Sequence, residues 1–260
     1  MDKQRPLVLI SNDDGVRAEG LDLLVKEISP LADIIVLAPE VQQSGMSSAV
    51  SCEGVLDFRC VRKEKGLEIY SATGTPVDCV KLAFYTVCKD RKPDLLLSGI
   101  NKGSNSSINV VYSGTMGAAI EGCINGIPSV GLSQCFRMGE PICYTYGLPL
   151  VKQLVADLLN GTISLPDGVC LNVNFPHGPI EGGLQWCRQA RSKWVKEFDY
   201  VGKDAQSGNE QYTLGGEFVC LEPDAEDTDE YVLAHGGASC VPLNIDMTAQ
   251  TFLSKMKNKK

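Results

Sequence analysis

The stretch 8-VLISNDDGVRAEG-20 decides the fold. With Leu7 before it, it opens on four apolar residues, Leu7–Ile10, and runs at once into Asn-Asp-Asp-Gly. A short apolar run bounded by turn residues reads as a buried strand. Beyond Gly20, Leu21, Leu24, Val25 and Ile28 recur at helical spacing, and Pro30 ends that helix. "DIIVL", Asp33–Leu37, is a second strand. Strand, helix and strand in this order predict a parallel pair joined by a crossover helix.

The alternation continues outward. Val55–Phe58 and Leu67–Ser71 read as short strands around the charged turn "RKEKG". Thr75 is placed to cap a helix with Pro76 at its first position. Asp94–Ile100 reads as a strand, "TMGAAIEGCING" as a helix, "IPSVGLS" as a strand, Leu148–Leu159 as a helix and "VCLNVNF" as a strand. This predicts an α/β fold of three α/β/α layers, Rossmann-like and doubly wound, with a mostly parallel sheet. The last third reads differently. Gly183–Ala190 resembles a strand and 193–213 an exposed hairpin. An acidic loop precedes a helix start at Asp227 or Thr228, then "SCVPLNI" gives a strand and Thr248–Met256 a final helix. We expect residues 1–180 to form the core, and 181–260 to form a hairpin and C-terminal oligomerisation segment that completes it.

Composition narrows the function. The 260 residues are 43% hydrophobic and 22% charged, enough for a core without staples. A net charge of −8 opposes non-specific or duplex nucleic-acid binding. The basic tail "KMKNKK" reads as a solubilising end. Eleven cysteines, an odd number with no Cys-x-x-Cys pair, read as buried thiols of a reducing compartment. The start "MDKQRPLVLIS" carries no readable signal peptide, and no apolar stretch has membrane-span length. A soluble, cytoplasmic protein is expected.

In an open parallel sheet, ligands bind beyond the carboxyl ends of the strands. Asp13 and Asp14 fall there, after the first strand. Adjacent carboxylates repel unless a cation joins them, and Mg²⁺ or Mn²⁺ favours hard oxygen donors. An Asx-type turn explains the same four residues without a metal, and both readings stand at this point. Ser44, after strand two, and Asn101, after "DLLLSGI", leave the same sheet edge and can add neutral oxygens. Ser113, Gly114 and Thr115 open a helix, where free amides favour a phosphate; an ordinary Ser/Thr cap accounts for them too.

Together, "LISNDDGV", "APEVQQSGMSSAVS", "ATGTPVDCVKLA", "PDLLLSGINKGSN" and "VYSGTMGAAIEG" resemble the motifs of the SurE (survival protein E) nucleotidases. The style of the chain is that of a plant-like or eukaryotic-like member. The resemblance implies a phosphatase of nucleoside 5'- and 3'-monophosphates that uses one divalent ion (Mg, Mn or similar) per subunit. It implies metal ligands at Asp13, Asp14, Ser44 and Asn101, and phosphate contacts at Asn105, Ser113, Gly114 and Thr115. It further implies homodimers that exchange C-terminal arms, and homotetramers formed through the hairpin. Asp13 is the expected catalytic residue, as water-orienting base or as nucleophile.

The chain departs from the pattern at Asn244 and Gln250, where bacterial relatives typically carry histidines. His177 and His235 do not replace them, while Asp246 is retained. Two rivals follow: a catalytically weak nucleotide- or partner-binding homologue, and a receiver-like Mg²⁺-binding signalling module. No Walker A, Gly-x-Gly-x-x-Gly or Gly-x-Ser-x-Gly pattern supports other enzyme classes.

Overall fold

The computed structural model describes residues 5–258; Met1–Gln4 of the start, and the last two lysines of the basic tail, lie outside the described residues. The chain runs β1 (Leu7–Ser11), α1 (Glu19–Ile28), β2 (Asp33–Pro39), β3 (Phe58–Glu64), β4 (Leu67–Ala72), α2 (Pro76–Tyr85) and β5 (Leu95–Lys102). A 3-10 turn (Ser107–Val111) leads to α3 (Gly114–Ile124), β6 (Ser129–Gln134), α4 (Leu148–Asn160) and β7 (Val169–Phe175). Then follow β8 (Leu184–Trp186), β9 (Ser192–Val195), β10 (Phe198–Lys203), β11 (Glu210–Leu214), β12 (Glu217–Cys220), α5 (Asp229–Ala234), β13 (Ala238–Asn244) and α6 (Gln250–Lys257).

Nine strands form one sheet in the order β3-β4-β2-β1-β5-β6-β7-β13-β8. The central strands from β4 to β7 pair in parallel, while β3 and β13 run antiparallel to β4 and β7. The period-2 alternation of β1 creates the layers. Val8 and Ile10 pack with Leu24 and Ile28 of α1 and Leu154 of α4. Leu7 and Leu9 pack on the other face with Val80 and Ala83 of α2 and Ala118 of α3. Each fully buried aliphatic side chain of this kind contributes roughly 1.5–3 kcal/mol. The fold is therefore the expected doubly wound α/β sheet.

The chain winds from β1 to β2 and β4 in one direction, then returns to place β5 on the other side of β1. The crevice at this reversal, beyond the ends of β1 and β5, is where such sheets bind ligands.

Several boundaries differ from expectation. The strand expected at Val55–Phe58 lies at Phe58–Glu64 and takes in part of the "RKEKG" turn. It is an exposed edge strand held by pairing with β4, so it shows no apolar run. The Gly183–Ala190 strand shortens to Leu184–Trp186. The hairpin is longer than 193–213: β10 pairs with β11, and β9 with β12, so it spans 192–220. The last helix starts at Gln250 and buries none of its residues. Strands β8 and β13, from the expected appendage, extend the main sheet.

Candidate metal and phosphate site

Asn12, not the acidic pair, closes the turn after β1. Its Nδ2 donates to the Gly15 carbonyl at 2.9 Å, and its Oδ1 accepts from the Gly15 amide at 3.2 Å. Gly15 takes a φ of 98°, a conformation that suits glycine. The Asx turn is therefore present, and it leaves both aspartate carboxylates for other work.

Asp13 is 3% exposed. Its carbonyl accepts from the Gln43 amide at 2.7 Å, tying it to the loop that carries Ser44. Its Oδ1 accepts from Thr115 Oγ1 at 2.5 Å. Gly114 brings α3 this close: a Cβ there would lie 2.9 Å from Asp13 Cβ. Asp14 Oδ2 accepts from the Lys102 amide at 2.8 Å, next to Asn101. Burial pushes the Asp13 carboxyl up to about 6; the Thr115 hydrogen bond opposes this and the Asp14 charge adds to it. Burial also raises Asp14, against the pull of the Lys102 amide and charge.

Loop 103–109 is pinned by a ladder of buried amides. The Asn105 amide donates to Asn174 Oδ1, and Asn105 Nδ2 to Ser133 Oγ, both at 2.8 Å. Asn172 Nδ2 donates to the Asn105 carbonyl at 2.8 Å and Asn174 Nδ2 to Asn172 Oδ1 at 3.0 Å. Ser113 caps α3: its Oγ accepts from the Met116 amide at 3.0 Å. Gln42 Nε2 donates to Ser44 Oγ at 2.8 Å, holding that hydroxyl at the rim.

A cleft of about 560 Å³ results, lined by Asp13, Ser44, Asn101, Lys102, Asn105 and Ser113 among others. Asp14, Gly114 and Thr115 adjoin it through the contacts above. The expected metal and phosphate residues thus lie in or against one cleft. The structure commits the Thr115 hydroxyl to Asp13 and the Asn105 side chain to Ser133, which makes both supports of the cleft. Sequence reading gave no role to Lys102, the one cationic lining residue, or to Trp194, which enters from β9. Lys102 stood in a quoted motif; nothing in the local sequence of Trp194 pointed here.

The donor set fits a hard divalent ion. Among the described residues no group of three or more His, Cys, Asp or Glu could hold a metal, and a site here would combine the carboxylate pair with neutral oxygens. Asp13, Asp14, Ser44 and Asn101 offer that combination, and the two acidic groups sit together at a burial that disfavours their charge.

Asn244 and Gln250, where histidines were expected from relatives, do not line this cleft. Asn244 Oδ1 accepts from the Asp246 amide at 2.8 Å, and Gln250 Nε2 donates to Asp246 Oδ2 at 3.0 Å, an internal bracing of the loop after β13. His177 lies 3.0 Å from Glu140, and His235 stacks on Tyr231.

Fold and site together define an open-sheet α/β protein with an acidic site at its topological switch point. The family model of Survival protein SurE matches residues 8–196. The chain is 43% identical over 258 residues to the 5'-nucleotidase SurE of Phocaeicola vulgatus, covering 99% of this chain and 98% of that one. It is 42% identical to the 5'-nucleotidase SurE of Bacteroides thetaiotaomicron, with 98% and 96% covered. The crystal structure of the SurE protein from Aquifex aeolicus superposes with a TM-score of 0.81 at 29% identity, covering 97% of this chain and 99% of that one. The chain belongs to the SurE family. These relatives are bacterial and lend nothing to the plant-like reading.

Proposed function

We propose that the protein is a divalent-metal-dependent phosphomonoesterase that hydrolyses nucleoside 5'- and 3'-monophosphates to nucleoside and phosphate. Family membership supports the activity. The observation that supports the site is that Asp13, Ser44 and Asn101 line one cleft beside the start of α3, with Asp14 held against its edge by the Lys102 amide.

Asp13, Asp14, Ser44 and Asn101 would hold one ion per subunit. Bound there, a divalent ion would supply positive charge against the ester and lower the pKa of bound water. The Thr115 hydrogen bond fixes one oxygen of Asp13 and leaves Oδ2 to orient the attacking water and take its proton. The amides at the start of α3, with the Ser113 hydroxyl, receive phosphate oxygens. Lys102 adds a positive charge on the solvent side of the cleft. The nine-stranded order gives no support to a receiver-like module, and the loop of Asn244 and Gln250 stands apart from the cleft, which favours an active enzyme over a weak binding homologue.

We further place the protein in a reducing cytoplasm and in homodimers or homotetramers. All eleven cysteines are free thiols, which supports the first. No helix among the described residues is long and apolar enough to cross a membrane. For the second, α6 buries no residue, and an apolar groove is lined by Val110, Ile120, Leu243 and Met247.

The test is phosphate release from 5'-AMP and 3'-AMP with Mg²⁺ or Mn²⁺. EDTA and Asp13→Asn are each expected to abolish it while circular dichroism stays unchanged. Release that persists near the starting rate after either change contradicts the reading.

A further inference from the structure

A second cavity, of about 540 Å³, opens beside the Asp13 cleft and shares Gly103, Ser104, Asn109 and Trp194 with it. Its apolar walls are Phe136, Trp194 and Phe218. Trp194 and Phe218 meet edge to face at 5.7 Å, and Trp194 Nε1 is held by Asn109 Oδ1 at 2.8 Å. The Lys102 ammonium, which lines the first cleft, lies 5.7 Å from the centre of the Phe136 ring and marks the junction. One carboxylate lines the cavity, Glu230. Its Oε1 accepts from Ser106 Oγ at 2.6 Å, and no hydrogen bond among the described residues reaches Oε2.

Resting on the nucleotidase reading, we propose that this cavity receives the nucleobase and that Glu230 selects a base edge carrying two adjacent N–H donors, which among the common bases is guanine. Aromatic walls bind any base by stacking and do not choose among them. Arg137 and His177 also line the cavity and can meet base acceptors, so the choice between N–H donors and lone pairs falls to Glu230, its one carboxylate. A carboxylate is acceptor-only and takes paired donors side by side. Guanine presents N1–H next to its 2-amino group. Adenine and cytosine each set a ring acceptor beside the amino group, so one carboxylate oxygen would face a lone pair. Uracil offers one N–H between two carbonyls. Mismatches of this kind leave buried polar groups unpaired, which is the strongest source of discrimination a small pocket has. Burial raises the Glu230 carboxyl, the Ser106 hydrogen bond opposes this and Asp229 adds to it, so paired N–H donors would favour the charged form.

Two measurements test this. Calorimetric titration of the intact protein with guanosine, adenosine, cytidine and uridine needs no hydrolysis. Guanosine is expected to bind at least roughly tenfold tighter than adenosine. Equal binding of all four within about threefold, or tightest binding of another base, overturns the proposal. In the second, kcat/KM is compared for GMP, AMP and ribose 5-phosphate in the natural protein and in Glu230→Gln. The GMP value is expected to fall about tenfold relative to that for ribose 5-phosphate, and an unchanged GMP-to-AMP ratio overturns the assignment. Guanosine-selective binding by a protein that hydrolyses no ester supports the pocket and counts against the nucleotidase reading alone.

Discussion

The Thr115 hydroxyl donates to the Asp13 carboxylate at 2.5 Å and joins the first turn of α3 to the turn after β1. It commits one of the two carboxylate oxygens, Oδ1. It also opposes the burial that raises the Asp13 carboxyl. One side chain thus sets both the direction and the charge of the proposed catalytic group.

Replacing Thr115 by Val keeps the shape and removes that bond. We expect kcat to fall about 10–100-fold from lost positioning, with KM little changed. Stability should drop by only about 1 kcal/mol, read from urea denaturation. Because a lowering interaction is lost, the acid limb of the pH–rate profile should move to higher pH.

Titration of Asp13 makes the metal-free protein pH-sensitive. Its carboxyl lies at about 6 in the folded chain against 3.8 ordinarily, so the folded state holds this proton more tightly than the unfolded one. The favourable contribution is full below about pH 4 and is lost as pH rises to about 6, a difference of about 3 kcal/mol. Chelator-treated natural protein should therefore lose stability relative to Asp13→Asn as pH rises through this window, measured by calorimetry from pH 4.5 to 7.5. A constant difference between the two proteins contradicts the assignment.

Gly117 lets α3 pass under the loop that carries Ser44. A Cβ there would lie 2.4 Å from the Ser47 carbonyl oxygen, a backbone atom with no flexible end to move. Gly117→Ala should cost about 1–3 kcal/mol despite the better helix propensity of alanine. The displaced loop should also weaken Mn²⁺ binding, readable by titration.

Asp229, fully buried, accepts from the amides of Ser107 at 2.7 Å and Ala190 at 2.8 Å. It locks the loop of the cleft to the base of the hairpin. Asp229→Ala strands these donors and should cost about 3 kcal/mol, while Asp229→Asn, which keeps one acceptor, should recover part of it. Thermal denaturation of the two variants gives the comparison.

The parallel strands were legible because burial on both faces writes them as continuous apolar runs, as in Leu7–Ile10 and Asp33–Leu37. Helix starts were legible where a cap has its own chemistry: Thr75 and Asp78 form a capping box, and Thr228 caps α5. β3 was misplaced because an edge strand is stabilised by its neighbour's backbone and needs no apolar pattern. The acidic pair and its partners were legible because they sit at strand ends. Trp194, Phe218 and Glu230 were not, since only the folding of the hairpin and α5 brings them beside loop 103–109. The amide ladder of Asn105, Asn172 and Asn174 was hidden for the same reason, as it joins loop and strand residues far apart in the chain.

The proposed function rests on Asp13 and Asp14 being able to hold a divalent ion together with Ser44 and Asn101. Its most direct test is calorimetric titration of chelator-stripped protein with Mn²⁺, before any substrate is added. One ion per chain is expected, with Kd weakened by about 100-fold or more when Asp13 and Asp14 are both changed to Asn. Absence of binding by the natural protein, or binding of equal strength by the double variant, would contradict it.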